Sequence, residues 1–216
     1  NNIEEMISVA EESGLSLSFF EFLFEKCLRA YKELLLSVEN SFERIYVNIN
    51  LSIEQLSQSY FYDKCIELLN ELGLNPKYIY LEITEKKLDS IFSHVNINMK
   101  RLKEVGFKLS IDDFGTGYSS IRRLIDYEFD QLKIDKSFFE GISQNERLQL
   151  ALLTSTRLGH SMGMEVLAEG IETKGEESFA KQNKIELYQG YLYSKPMMLK
   201  DIVNLIKEDG IYEKKE

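Results

Sequence analysis

Six short apolar runs, each ending in polar or ionisable residues and separated from the next by helical spacing, constrain this chain more than any other feature. The runs are IYVNINLS (45–52), YIYLEITE (78–85), KLSIDDF (108–114), FDQLKIDKSF (129–138), EVLAEGIE (165–172) and IELYQGYLYSKP (185–196). Helical spacing fills 3–12, 18–36, 52–72, 87–105, 119–127, 143–162, 174–181 and 199–207. Ser18 with Glu21, Ser52 with Gln55 and Ser143 with Glu146 have the spacing of a capping box, and Gly73 and Gly106 stand where helices stop. Over 18–36 the residues Phe20, Phe24, Cys27, Leu28, Tyr31 and Leu35 share one helix face. Strands that alternate with helices through a whole chain predict an α/β fold with a parallel sheet.

Parallel strands are buried on both faces, so charge in them needs a reason. Here the polar residues gather at the C-terminal ends: Asn50; Glu82 and Glu85; Asp112 and Asp113; Lys133 and Asp135; Glu169 and Glu172; Gln189. An open doubly wound sheet brings two or three strand ends together, whereas a TIM-type (β/α) barrel converges all of them on one mouth. The pattern therefore predicts a barrel, although six strands fall short of the usual eight.

Adjacent carboxylates at Asp112 and Asp113 repel each other unless something positive sits beside them. The glycines at 115 and 117 allow the backbone to come close to a ligand. Asn50, Glu82, Asp112 and Asp113 are hard oxygen donors with no histidine or cysteine among them, which suits Mg²⁺, Mn²⁺ or Ca²⁺. Neighbouring aspartates let one carboxylate bridge two ions while the other holds the second, and two such ions assist hydrolysis of a phosphodiester. Lys133 stands to meet developing charge or to hold the attacking water. Glu169 either ligates the second ion or accepts a proton from water, Glu172 braces the loop, and Gln189 donates to a phosphate or a base edge.

A net charge of −10 without a basic stripe argues against DNA or RNA as partner, although metal ions can reverse the sign at an anion site. Cys27 and Cys65 lack metal or redox spacing and read as reduced thiols, and His94 and His160 fall in helical stretches away from the strand ends. With no long apolar run and no signal peptide, a cytoplasmic chain or a cytoplasmic domain of a larger protein is predicted. The chain opens on Asn1 rather than Met, which predicts part of something longer.

The motifs VNINLS, LEITE, SIDDFGTGYSS, LKIDKSF, LAEGIET and QGYLYSKP resemble, in order and spacing, those of the EAL domain family of cyclic di-GMP phosphodiesterases. The resemblance runs from about Met6 onward. It implies a single domain over 1–216 with a modified TIM barrel that lacks its first two strands, and a two-metal hydrolysis of cyclic di-GMP to linear pGpG with Mg²⁺ or Mn²⁺. By the same resemblance Asn50, Glu82, Asp112, Asp113 and Glu169 are metal ligands, and Lys133 and Glu169 are catalytic. Gln189 and Asp135 contact substrate, Glu172 steadies a loop, and Glu85 anchors the 113–120 loop that couples a homodimer to activity. A fused sensory or cyclase domain commonly accompanies the family. The strand bearing the Glu-Ala-Leu signature is absent, and Glu33-Leu34-Leu35, in the middle of a helix, does not replace it. The same resemblance therefore also admits a catalytically inactive domain that acts as a cyclic di-GMP receptor.

Overall fold

The computed structural model describes residues 6, 9–10, 12–38, 45–85, 93–116 and 121–209. The chain divides into two units, one of Asn1–Leu81, Ile91–Phe107 and Met197–Glu216, the other of Glu82–Ser90 and Lys108–Pro196.

The first unit holds α1 (Ser16–Ser37), β1 (Val47–Asn50), α2 (Ile53–Ser57), α3 (Phe61–Leu72), the start of β2 (Ile79–Thr84), α4 (Ser93–Val105) and α8 (Leu199–Asp209). Its core is aromatic and aliphatic: Phe24, Leu28, Leu56, Phe61, Val95, Met99 and Leu102 are buried, and the rings of Phe24 and Phe61 meet at 5.5 Å. The Asn98 amide, buried in α4, donates to the carbonyls of Leu56 and Gln58 and so satisfies the open end of α2. Gly73 ends α3 in the left-handed region, and the Ser52–Gln55 capping box forms. The expected helix over 52–72 is broken in two, between α2 and α3.

The second unit holds the end of β2, then β3 (Lys108–Phe114), α5 (Ile121–Asp126), β4 (Gln131–Ile134), α6 (Glu146–Ser161), β5 (Glu165–Ala168), α7 (Lys174–Gln182) and β6 (Leu187–Tyr188). β3–β4, β4–β5 and β5–β6 pair in parallel. The strand order β1-β2-β3-β4-β5-β6 is the chain order. An order that never reverses is that of a (β/α) barrel and not of a doubly wound sheet, as the strand ends predicted. α6 lies close on the sheet at Gly159, where an added Cβ would stand 2.9 Å from Val166 Cγ2.

Four local readings are corrected. α1 starts at Ser16 with Leu15 at its N-cap and no side-chain cap, so Ser18 lies within the helix, and Glu21 accepts from the Tyr60 hydroxyl at 2.7 Å and the Lys64 ammonium at 3.0 Å. α6 is capped not by Ser143 but by Asn145, whose Oδ1 accepts from Leu148 N. Cys27 is exposed, off the buried face formed by Phe24, Leu28 and Tyr31. The strand read over 165–172 ends at Ala168, since Gly170 turns into the left-handed region (φ 66°) against Lys136. The first half of the helix predicted over 87–105 lies largely outside the described residues, as do Gly117 and the end of the 113–120 loop.

α7 opens with a Thr173–Glu176 capping box and carries Glu177, which accepts from Lys181 at 2.8 Å, Lys174 at 3.0 Å and the Tyr193 hydroxyl at 3.1 Å. Lys181 and Lys174 hold the Glu177 carboxyl down at about 2, against an ordinary 4.5. A carboxyl depressed in the folded state contributes stability that is present above its unfolded value and lost as pH falls through the folded one. Melting curves of the wild type and of Glu177→Gln should therefore differ at pH 6 and converge as pH falls from about 4.5 towards 2.

Candidate active site

Regular strand alternation would send neighbouring side chains to opposite faces, so Asp112 and Asp113 need a local device to act together. β3 supplies one. Ile111 pairs with Leu132 and Phe114 with Ile134, so three steps along β3 match two along β4, and the extra residue makes a bulge opposite Lys133. Asp113 takes a φ of 56°, in the left-handed region that aspartate tolerates better than most side chains. Asp112 Oδ1 accepts from the Asp113 N–H at 3.0 Å and fixes the kink.

The backbone after the bulge is held from two sides. Gly115 (φ 94°) donates its N–H to Glu85 Oε2 at 3.1 Å, and Glu85 is buried at the end of β2. The Phe138 ring lies so close that a Cβ on Gly115 would fall 2.4 Å from it.

At the centre stands Lys133, in the middle of β4 and only 3% exposed. Its Nζ lies 2.6 Å from Glu82 Oε1, 2.8 Å from Glu169 Oε1 and 3.0 Å from Asp112 Oδ1. One ammonium thus gathers carboxylates from β2, from β3 and from just beyond β5, where Glu169 N donates to Ile134 O and sets the register. Burial by itself would lower Lys133, but Glu82, Glu169 and Asp112 outweigh it and hold the ammonium above its ordinary value. Burial pushes Glu169 up to about 7; Lys133 pulls the other way, and Asp112 and Glu82 add to the rise.

Carboxylate oxygens of Asp112, Asp113 and Glu169 all lie within 4.8 Å of one another. An all-oxygen, partly buried set of this kind fits a hard divalent cation. His94 is exposed, and His160 Nε2 lies 2.7 Å from Glu186 Oε1, so neither joins this group.

The remaining expected site residues are less concentrated. Asn50 ends β1, exposed, in the first unit. Asp135 is half-buried, and its Oδ1 accepts from Ser137 N at 2.9 Å, capping the turn after β4. Glu172 is exposed beyond β5, and its backbone N–H donates to Glu176. Gln189 is exposed just after β6, while its backbone is tightly held: its N–H donates to Ala168 O at 2.8 Å and its carbonyl accepts from Ile171 N at 3.0 Å. Two supporting contacts escaped sequence reasoning, Phe138 on Gly115 and Gly190 on Ile171. Gly190 follows Gln189 within a motif already singled out, but its close approach depends on the fold.

A family model described as EAL domain matches residues 2–196. The cyclic di-GMP phosphodiesterase NbdA of Pseudomonas aeruginosa is 32% identical over 196 residues, which are 91% of this chain and 25% of that protein. The chain thus spans about a quarter of the length of this relative. Among solved structures, the EAL enzyme Bd1971 in its cAMP- and cyclic di-GMP-bound form matches with a TM-score of 0.86 at 29% identity, covering 93% of this chain and 54% of that one. Klebsiella pneumoniae BlrP1 in a manganese and cyclic di-GMP complex matches with a TM-score of 0.81 at 26% identity, covering 92% and 49%. Among the described residues, no helix is long and apolar enough to cross a membrane.

Proposed function

The chain belongs to the EAL domain family, and from that premise we propose that it is a phosphodiesterase that opens cyclic di-GMP to linear pGpG. The observation that carries this reading is the gathering of Glu82, Asp112 and Glu169 around the buried Lys133 ammonium, with Asp113 turned in beside them. We assign Asp112, Asp113 and Glu169, with Glu82, to holding two Mg²⁺ or Mn²⁺ ions, a choice that the oxygen-only donor set favours. Bound there, the ions would supply Lewis acidity at the scissile phosphate.

The chain's own residues orient and move protons. Lys133, held among three carboxylates, turns one of its three N–H groups to the attacking water or to a phosphoryl oxygen that gains charge. Glu169 takes the proton from that water. The water oxygen bonds to phosphorus as the P–O3′ bond breaks, and the leaving oxygen is protonated, giving one 5′-phosphate and one 3′-hydroxyl end. Gln189 and Asp135 contact the dinucleotide, while Glu85, through the Gly115 N–H, and Glu172 steady the loops that carry the carboxylates. A single domain, a homodimer, a cytoplasmic setting and a sensory or cyclase partner domain belong to the same proposal.

The test is incubation of the chain with cyclic di-GMP and Mn²⁺ or Mg²⁺, followed by chromatography. Appearance of pGpG is the expected result. Tight binding with the ligand recovered intact would overturn the hydrolase reading and leave a receptor.

A further inference from the structure

An ammonium has three protons to donate, and each of those of Lys133 has a different carboxylate to meet: Glu82 at 2.6 Å, Glu169 at 2.8 Å and Asp112 at 3.0 Å. The side chains involved are between 4% and 17% exposed, so water does little to shield these charges from one another. Two of the three, Asp112 and Glu169, are also the residues that approach Asp113 closely enough to share a cation. The same oxygen-rich pocket therefore serves two claims on its negative charge, one from within the chain and one from solution. Without a positive partner the carboxylates of Glu82, Asp112, Asp113 and Glu169 would destabilise one another. Lys133 offsets that repulsion from a fixed place in the middle of β4.

We propose that Lys133 is the resident counter-ion of the acidic pocket, and that a divalent cation fills the pocket in competition with its ammonium. Lys133 then has a role separate from handling water: it sets the Mg²⁺ or Mn²⁺ concentration at which the site loads, and it keeps the strand ends together when no ion is bound. A compact, strongly hydrated point charge on a flexible stem suits such a part, because it can yield without moving the backbone.

This deepens the metal-assisted reading and rests on it, but its test reads ion binding and not turnover. Mn²⁺ binding to the whole chain would be measured from the free-Mn²⁺ electron paramagnetic resonance signal, at fixed ionic strength, for the wild type, Lys133→Met and Lys133→Arg. Met keeps an unbranched side chain, one atom shorter, and removes the charge; Arg keeps the charge. Competition predicts that the Met variant binds Mn²⁺ about tenfold more tightly than the wild type, and that the Arg variant stays within about threefold of it. Binding by the Met variant that is equal to or weaker than that of the wild type would overturn the proposal, since the ammonium would then be organising the carboxylates for the ion.

Should Lys133→Met fail to fold in the absence of metal, the unaltered protein still decides. Nuclear magnetic resonance of the ¹⁵N-labelled Lys133 ammonium is followed through a Mg²⁺ titration whose end-point is fixed by calorimetry. A large shift that tracks loading supports competition, and an unchanged resonance at the end-point overturns it. Tighter Mn²⁺ binding by the Met variant without any cyclic di-GMP hydrolysis by the wild type would sink the hydrolase reading and leave the counter-ion role standing.

Discussion

Asp112→Asn should lower turnover of cyclic di-GMP on the order of a thousandfold while the metal-free protein melts no lower than the wild type. The amide matches the carboxylate in size, and its oxygen can still accept from Asp113 N, so the bulge keeps its brace. What goes is one negative charge beside Lys133 and one of the three carboxylates that lie within 4.8 Å of one another. For binding a hard cation that loss is severe. For folding it is a relief, because Lys133 retains Glu82 and Glu169, and the remaining carboxylates repel one another less. Sites that hold like charges together for chemistry commonly give up stability to do so. Steady-state rates at saturating Mn²⁺, with melting curves in chelator, check both halves. Turnover within about tenfold of the wild type would remove Asp112 from the machinery.

Gly190→Ala should destabilise the fold by about 3 kcal/mol or more, although it adds a single methyl group. An added Cβ would stand 2.2 Å from the carbonyl oxygen of Ile171, 2.3 Å from its nitrogen and 2.7 Å from its carbonyl carbon. All three are backbone atoms, so no rotamer change can make room. The segment cannot slide either, because Ile171 N donates to Gln189 O and Leu192 N donates to Ile171 O, each at 3.0 Å. Relief has to come from parting these bonds, which moves the end of β6 away from the turn that follows Glu169. Urea denaturation measures the loss. Gly163→Ala is the useful contrast: Gly163 has a φ of 76° but nothing within 4 Å of an added Cβ, so its cost is backbone strain alone, about 1 kcal/mol.

The strands and the ends that carry chemistry were legible because charge inside a buried parallel sheet contradicts the hydrophobic pattern around it. Glu82 and Lys133, each next to apolar residues of its strand, stood out for that reason. Partner choice was not legible. Glu21 has the spacing to cap its own helix, yet Tyr60 and Lys64, far along the chain, take its carboxylate. Thr173 and Glu176 have the same local spacing, and there the capping box forms. Strand length was overread where a glycine intervenes: Glu172 looked like a strand residue in EVLAEGIE, but Gly170 leaves the extended region two positions earlier. Lys133 read as a strand-end lysine near water, and only the fold reveals that three acids from three different segments converge on it.

The additional residue in β3 has a consequence for how such a site can be lost over generations. A bulge is one extra residue relative to its partner strand, and a substitution changes a side chain without changing that count. Replacement of Asp112 or Asp113 removes a carboxylate in one step, yet the three steps from Ile111 to Phe114 still face two steps of β4 in chain length. A descendant that had exchanged both aspartates would still carry that extra residue. The backbone would then record an ancestry that its side chains no longer declare.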